Sequence, residues 1–423
     1  MEWNYSELAA AAGTPSYIFS EQAFRERAEE VKKAFGERVD LCFSIKANPF
    51  LLSVLPDEFT RVEVCSPGEL TICEKLGIDP DKIIFSGVNK SADDVACAIS
   101  YGVHRVTIES LNHLAYADEE GRKTGKPVPV LIRLADESQF GIDEDVLTDI
   151  IARRDEYPGI KIKGIHYFTG TQKRRAKEVI KETERLSELT DSIREQYGFS
   201  IEELEYGAGL DADYFKPDAG ALEAERLASV ADAVAALGQK AHLTVEMGRF
   251  FAAPCGIYLT RVVDTKTNGG TNYAILDGGL HQLHYDGQFM GMQVPEIHHI
   301  KETRTADSRV KSARGTAAGP ASADAALETT AWTLCGSLCS TNDVLARGAE
   351  FTDLAEGDIL AFTRTGAYSH MEGMSIFLSR DLPKVWILAS PEGTSAGKTA
   401  GTAGDLRLVR DRMEMYSYNM PFL

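Results

Sequence analysis

The chain has 423 residues, 43% hydrophobic and 26% charged, enough for two domains with sizeable cores. Its 64 acidic against 45 basic residues leave a net charge of −19, which disfavours nucleic acid and anionic membranes as partners. No run of roughly 18 apolar residues offers a spanning helix. Met1 to Tyr5 reads as carrying no secretory leader, and the seven cysteines form no Cys-x-x-Cys pair; reduced thiols in a cytoplasmic protein are expected, with no disulfide frame and no metal site.

Residues 16–19 read as a short strand. Ser20 is a cap for a helix over 21–35 that stops at Gly36. Strand-like runs then recur at 40–47, 61–66, 82–87, 105–109, 128–134, 161–169, 201–207 and 242–247, with helical spacing between most of them. The clearest helices are 222–237, where Leu227, Val230, Val234 and Leu237 step by three and four, and 174–197, with Leu186, Leu189 and Ile193 on one face. This alternation predicts a (β/α)8 TIM-like barrel over 20–250, with a doubly wound open sheet as the alternative. Beyond Phe251 the rhythm breaks. Strand-like runs at 256–266, 273–276, 330–334, 358–362 and 384–388 predict a mostly β domain built from 1–19 and 251–423. The polar, small-residue segments 301–327 and 391–404 both read as mobile loops.

Barrels of this kind place chemistry where strands end. The first run ends at Lys46, before Asn48-Pro49. Lys46 has two readings: a surface lysine where a strand emerges, or a lysine desolvated enough to lose its proton and join an aldehyde cofactor as a Schiff base. The other ends carry Glu63, Arg133, His166 with Phe168 and Thr171, Gly207-Ala208-Gly209, and Glu246 with Arg249. A glycine turn after the seventh strand suits a phosphate, and Arg249 can add a bidentate contact. A carboxylate at Glu246 can keep a pyridine nitrogen protonated, so that the ring accepts electrons. Together these describe a pyridoxal 5'-phosphate site. In the β domain, Cys339 precedes small polar residues and can donate a proton, while Tyr368 can offer its hydroxyl to a phosphate.

The motifs Ser44-Ile45-Lys46-Ala47-Asn48, Val64 to Leu70, Gly164-Ile165-His166 through Gln172, Tyr206 to Gly209, Glu246 to Arg249, Cys335 to Cys339 and Gly366-Ala367-Tyr368 fall in one order. In that order the sequence resembles the fold-type III pyridoxal-phosphate decarboxylases of diaminopimelate, ornithine and arginine over nearly its whole length. The resemblance implies an alanine racemase-like barrel with a β domain. It implies Lys46 as the Schiff-base lysine, Glu246 as the ring-nitrogen partner, and Gly207, Gly209, Arg249, Thr171 and Tyr368 around the phosphate. Glu63 would stand near Lys46, Arg133 near the cofactor, and Cys339 would protonate the substrate carbon. It also implies a homodimer with shared active sites, Cys339 serving the neighbouring subunit.

Three departures set the chain apart. Phe168 occupies the place of a histidine that usually stacks on the cofactor ring. Ser340 follows the cysteine where an acidic residue usually reads the substrate's distal amine. The segment 277–284, which includes His281, has no arginine for a distal carboxylate. Ser340, Asp343 and His281 are therefore the substrate-facing candidates. The Ile-His-x-x-Thr-Gly-Thr-Gln run and the non-acidic residue after Cys339 resemble a butirosin-pathway branch that decarboxylates glutamate tethered to an acyl carrier protein. The expected function is decarboxylation of the α-carboxylate of an L-amino acid or derivative, free or carrier-tethered, in secondary metabolism. The competing readings are a diaminopimelate or basic amino acid decarboxylase, a pyridoxal-phosphate racemase, and a non-catalytic decarboxylase-like binding protein.

Overall fold

The computed structural model describes residues 3–302, 329–390 and 402–421. The expected loops at 301–327 and 391–404 lie outside these, apart from 301–302 and 402–404. The chain divides into two compact units, one of residues 24–212 and 220–252, the other of 1–23, 213–219 and 253–423.

The chain opens with α1 (Tyr5–Ala12), β1 (Ser16–Ser20) and α2 (Glu21–Phe35). The Ser20 hydroxyl accepts the Ala23 N–H at 3.1 Å and caps α2. Then come β2 (Val39–Ser44), β3 (Phe59–Val64), β4 (Ile83–Phe85), β5 (Arg105–Ile108), β6 (Val128–Leu134), β7 (Ile160–Phe168), β8 (Glu203–Gly207) and β9 (His242–Met247). These strands pair in parallel and close into a barrel in chain order. Between them run α3 (Pro67–Leu76), α4 (Ala92–Tyr101), α5 (Leu111–Thr124), α6 (Glu144–Ala152), α7 (Ala176–Tyr197) and α8 (Ala219–Leu237); the short α9 (Arg249–Ala252) follows β9.

Strand alternation divides the barrel's side chains between two layers. Outward residues pack on helices: Phe24 of α2 lies 5.0 Å from Phe43 and 5.2 Å from Phe59, and Phe251 meets Phe59 edge-on at 4.8 Å. All four are buried, and truncating one such ring to alanine costs about 3–5 kcal/mol. The inward layer is polar toward the C-terminal rim. One expectation is corrected here: the first barrel strand ends at Ser44, and Lys46 sits on a 3-10 turn, Ile45–Ala47. Asn48 causes the break. Pro49 cannot continue a ladder, and the Asn48 side chain takes the Phe50 N–H at 3.1 Å.

The second unit carries β10 (Gly256–Asn268), β11 (Thr271–Leu276), β12 (Ile297–Ile300), β13 (Thr329–Cys335), β14 (Val344–Thr352), β15 (Ile359–Phe362), β16 (Lys384–Leu388), β17 (Leu406–Arg410) and α10 (Tyr416–Asn419). With β1 they form a nine-stranded sheet running β14-β13-β11-β10-β1-β16-β17, with β15 on β10 and β12 on β15. Its core joins Leu8, Ala9 and Ala12 of α1 to Ile18, Ile257, Leu259 and Ala361. Among the described residues no helix is long and apolar enough to cross a membrane, and no group of His, Cys, Asp and Glu is placed to hold a metal.

Candidate active site

Lys46 is the centre of a charged group at one end of the barrel. Its Nζ lies 2.7 Å from Glu63 Oε2 on β3 and 3.7 Å from Glu246 Oε1 on β9, with its side chain 38% accessible. Cys65 Sγ stands 3.4 Å from the same nitrogen and 3.0 Å from Glu63 Oε1. Lys46 is thus held in an ion pair. Burial, and then the Glu63 carboxylate, push the Cys65 thiol up, so Cys65 is a neutral neighbour.

Glu246 is pinned from two sides. The Ser44 hydroxyl donates to its Oε1 at 2.5 Å, and His166 Nε2 lies 3.2 Å from its Oε2. Burial alone would push this carboxyl up; the Lys46 ammonium and the hydrogen bonds from His166 and Ser44 outweigh it and hold the group below the usual carboxylate range. Glu246 is therefore a fixed anion.

On the far side, Arg133 donates to Glu109 Oε2 at 3.0 Å and lies 4.7 Å over the Phe140 ring and 6.0 Å from the Phe168 ring. Lys90 joins the pair, 3.9 Å from Glu109 Oε1. Arg133 is thus held by a carboxylate and two aromatic faces.

The glycine turn after β8 closes the group. Gly209 has φ +60, and a Cβ there would fall 2.1 Å from the Gly170 carbonyl oxygen; at Gly207 it would fall 2.4 Å from Phe168 Cδ2. Only glycine fits either place, so the turn offers bare backbone to a ligand. Thr171 is exposed on the neighbouring loop, and Arg249 is buried at the start of α9. An amine, a carboxylate held ionised and a side-chain-free turn are the donor set that pyridoxal phosphate requires, and the residues present fit it.

The other residues singled out from sequence belong to the second unit. Cys339 is exposed on the loop between β13 and β14, and Ser340 follows it. The Asp343 carboxylate is occupied: Oδ1 takes the Leu280 N–H and Oδ2 the Leu338 N–H, each at 2.7 Å. His281 is 1% exposed, and burial followed by the Arg380 charge lowers its pKa to about 4. Tyr368 holds a left-handed backbone at φ +62.

Sequence reading passed over Ser44, Glu109 and Glu205. Ser44 lies two residues before Lys46 on the inward face. Glu109 ends the β5 run. Glu205 stands two residues before Gly207. Inward alternation was the available signal for each.

The family model described as "Pyridoxal-dependent decarboxylase, pyridoxal binding domain" matches residues 21–253. A diaminopimelate decarboxylase of Aquifex aeolicus is 27% identical over 379 residues, 86% of this chain and 84% of that protein. An L-glutamyl-[BtrI acyl-carrier protein] decarboxylase of Niallia circulans is 26% identical over 419 residues, 93% of this chain and 92% of that protein. Among solved structures, the diaminopimelate decarboxylase of M. jannaschii with L-lysine superposes with a TM-score of 0.80 at 20% identity, covering 99% of this chain and 94% of that one. It shares the fold.

Proposed function

The chain belongs to the pyridoxal-dependent decarboxylases and is an amino acid decarboxylase that works with pyridoxal phosphate; from that premise we propose that its substrate is an amino acid whose distal end is uncharged, such as one carried as a thioester on a carrier protein. The observation behind this is Ser340, a hydroxyl next to Cys339 where the family usually sets a carboxylate, on a loop whose one nearby acid, Asp343, is occupied by backbone. An ammonium there would meet no compensating charge. Similarity to the carrier-protein glutamate decarboxylase supports the same reading.

In the proposed mechanism the bound cofactor supplies an electron-accepting ring. Lys46 would be the residue that holds the cofactor through its amine, and Glu63, 2.7 Å away, would keep that amine in place when the substrate amine takes over. Glu246, ionised and fixed by Ser44 and His166, would keep the ring nitrogen protonated. Arg249 and the Gly207–Gly209 turn would hold the phosphate. The bond from the α-carbon to the carboxylate breaks, CO2 leaves, and a proton from Cys339 or Lys46 takes its place. Cys339 would come from a second copy in a homodimer. Exposed Phe289, Met292, Ile376, Tyr418 and Met420, between 57% and 72% accessible, give the second unit apolar surface for that contact.

A second reading, decarboxylation of diaminopimelate or a basic amino acid, is favoured by the names of several relatives. The test is product analysis with pyridoxal phosphate and a panel of free and carrier-tethered amino acids. Amine and CO2 from tethered or distally neutral members alone support the first reading; turnover of a free diamino acid supports the second. Ser340→Asp is expected to gain weak activity on a basic amino acid under the first reading, and no gain across such a panel counts against Ser340 as the distal reader.

A further inference from the structure

One carboxyl inside the barrel has no part in this scheme. Glu205 is 1% exposed, and neither of its carboxyl oxygens has a hydrogen-bond partner. Its register partner on β7 is His166, also 1% exposed. His166 uses Nε2 on Glu246, while its Nδ1 is buried without a partner. Register-paired side chains of neighbouring parallel strands point to the same side of a sheet. Two unsatisfied polar groups are thus brought together inside the barrel, one strand from the cofactor's expected ring partner.

The charges around Glu205 decide its form. Glu246 on β9, Glu63 on β3, Lys46 after β2 and Arg133 on β6 act on it, and Cys42 on β2 and His166 on β7 complete its surroundings. Arg133 is balanced by Glu109 and Lys46 by Glu63. A further anion would be uncompensated, and burial followed by Glu246 and Glu63 pushes the Glu205 carboxyl well above the usual range. A protonated carboxyl is a donor, and Nδ1 of a neutral imidazole that donates through Nε2 is an acceptor.

We propose that Glu205 is a positioning residue: a buried carboxylic acid that donates, by way of a bridging water, to His166 Nδ1 and so fixes the imidazole with its Nε2–H on the Glu246 carboxylate. The chain Glu205–OH to Nδ1, and Nε2–H to Glu246, sets the tautomer by its hydrogen bonds. Ionisation of Glu205 at alkaline pH turns that donor into an acceptor. The imidazole proton then moves to Nδ1, and the Nε2 lone pair faces the Glu246 anion. Cofactor affinity is expected to fall as Glu205 ionises.

The experiment measures the dissociation constant of pyridoxal phosphate against pH for the parent, Glu205→Gln and Glu205→Leu, with apo-protein melting curves to show that each folds. The amide of glutamine still donates but cannot ionise, so its alkaline loss of affinity should disappear. Leucine has no donor, so its affinity at neutral pH should fall at least tenfold while its apo form melts no lower than the parent. Infrared difference spectra of the apo protein, parent minus Glu205→Gln, should contain the carbonyl stretch of a protonated carboxylic acid. An unchanged alkaline limb in Glu205→Gln, parental affinity in Glu205→Leu, or a carboxylate band in place of the acid band would each overturn the assignment.

Discussion

Lys46 Nζ is met at 2.7 Å by Glu63 Oε2, a carboxylate on the strand beside the one that delivers the lysine. Because Lys46 rides a 3-10 turn rather than a ladder, this ion pair fixes where its amine stands. Lys46→Ala is expected to abolish the absorbance band of lysine-bound cofactor and all turnover. Glu63→Gln should retain the band and lose on the order of 10-fold to 100-fold in kcat, the scale of a displaced reacting group. Spectra of the two purified variants check both, and a surviving band in Lys46→Ala would refute the assignment.

Glu246 is held ionised against its own burial. Replacing it by glutamine keeps the hydrogen-bonding shape and removes the charge. Turnover is expected to fall by roughly 10²-fold or more, in line with the loss of one preorganised electrostatic group, and KM should change far less. Steady-state kinetics separate the two; a KM effect alone would mean that Glu246 serves binding.

The turn after β8 makes a conformational prediction. Gly209→Ala must place a Cβ at φ +60 and against the Gly170 carbonyl. The left-handed backbone alone costs about 1–2 kcal/mol, so cofactor affinity should drop about tenfold. Fluorescence titration of the apo protein measures it, and an unaltered constant would remove the turn from the phosphate site.

Buried histidines give the fold an acid limit. Burial, ahead of nearby cations, holds His281 and His113 at about 4 and His370 at about 3. In the unfolded chain a histidine titrates near 6.5, so below that pH the unfolded state takes protons that the folded state refuses. This stability is complete above about 6.5 and is lost as the pH falls toward 4. Melting temperature should decline across that window, and the decline should be shallower in His281→Gln; equal slopes would show that other groups set the limit.

Much of the barrel was legible because parallel strands buried on both faces read as apolar runs; 128–134 and 242–247 coincide with β6 and β9. Lys46, Glu63, His166 and Glu246 stood out as polar residues where such runs stop. Ser44 and Glu205 did not, and Glu109, although it ends the run 105–109, was not singled out, since each matters through a partner on another strand. In the β domain, β14 and β17 went unseen. They end the sheet order and carry the charges of edge strands, Arg347 and Glu350 in one, Arg407 and Arg410 in the other. β12, only half-buried and paired with β15 alone, gave no alternation to read.

Asp343 draws two backbone amides, 58 residues apart in sequence at Leu280 and Leu338, onto one carboxylate. The loop that presents Cys339 and Ser340 is therefore shaped by a residue three places downstream of Ser340. The Ser340 hydroxyl adds one tie of its own, accepting the Asn342 N–H at 3.2 Å, so a residue that keeps a short side-chain acceptor, such as Asp or Asn, can replace it without remodelling the turn. A lineage built on this barrel can exchange the group offered at that position by a single codon, keeping the scaffold and the cofactor chemistry while changing what it accepts.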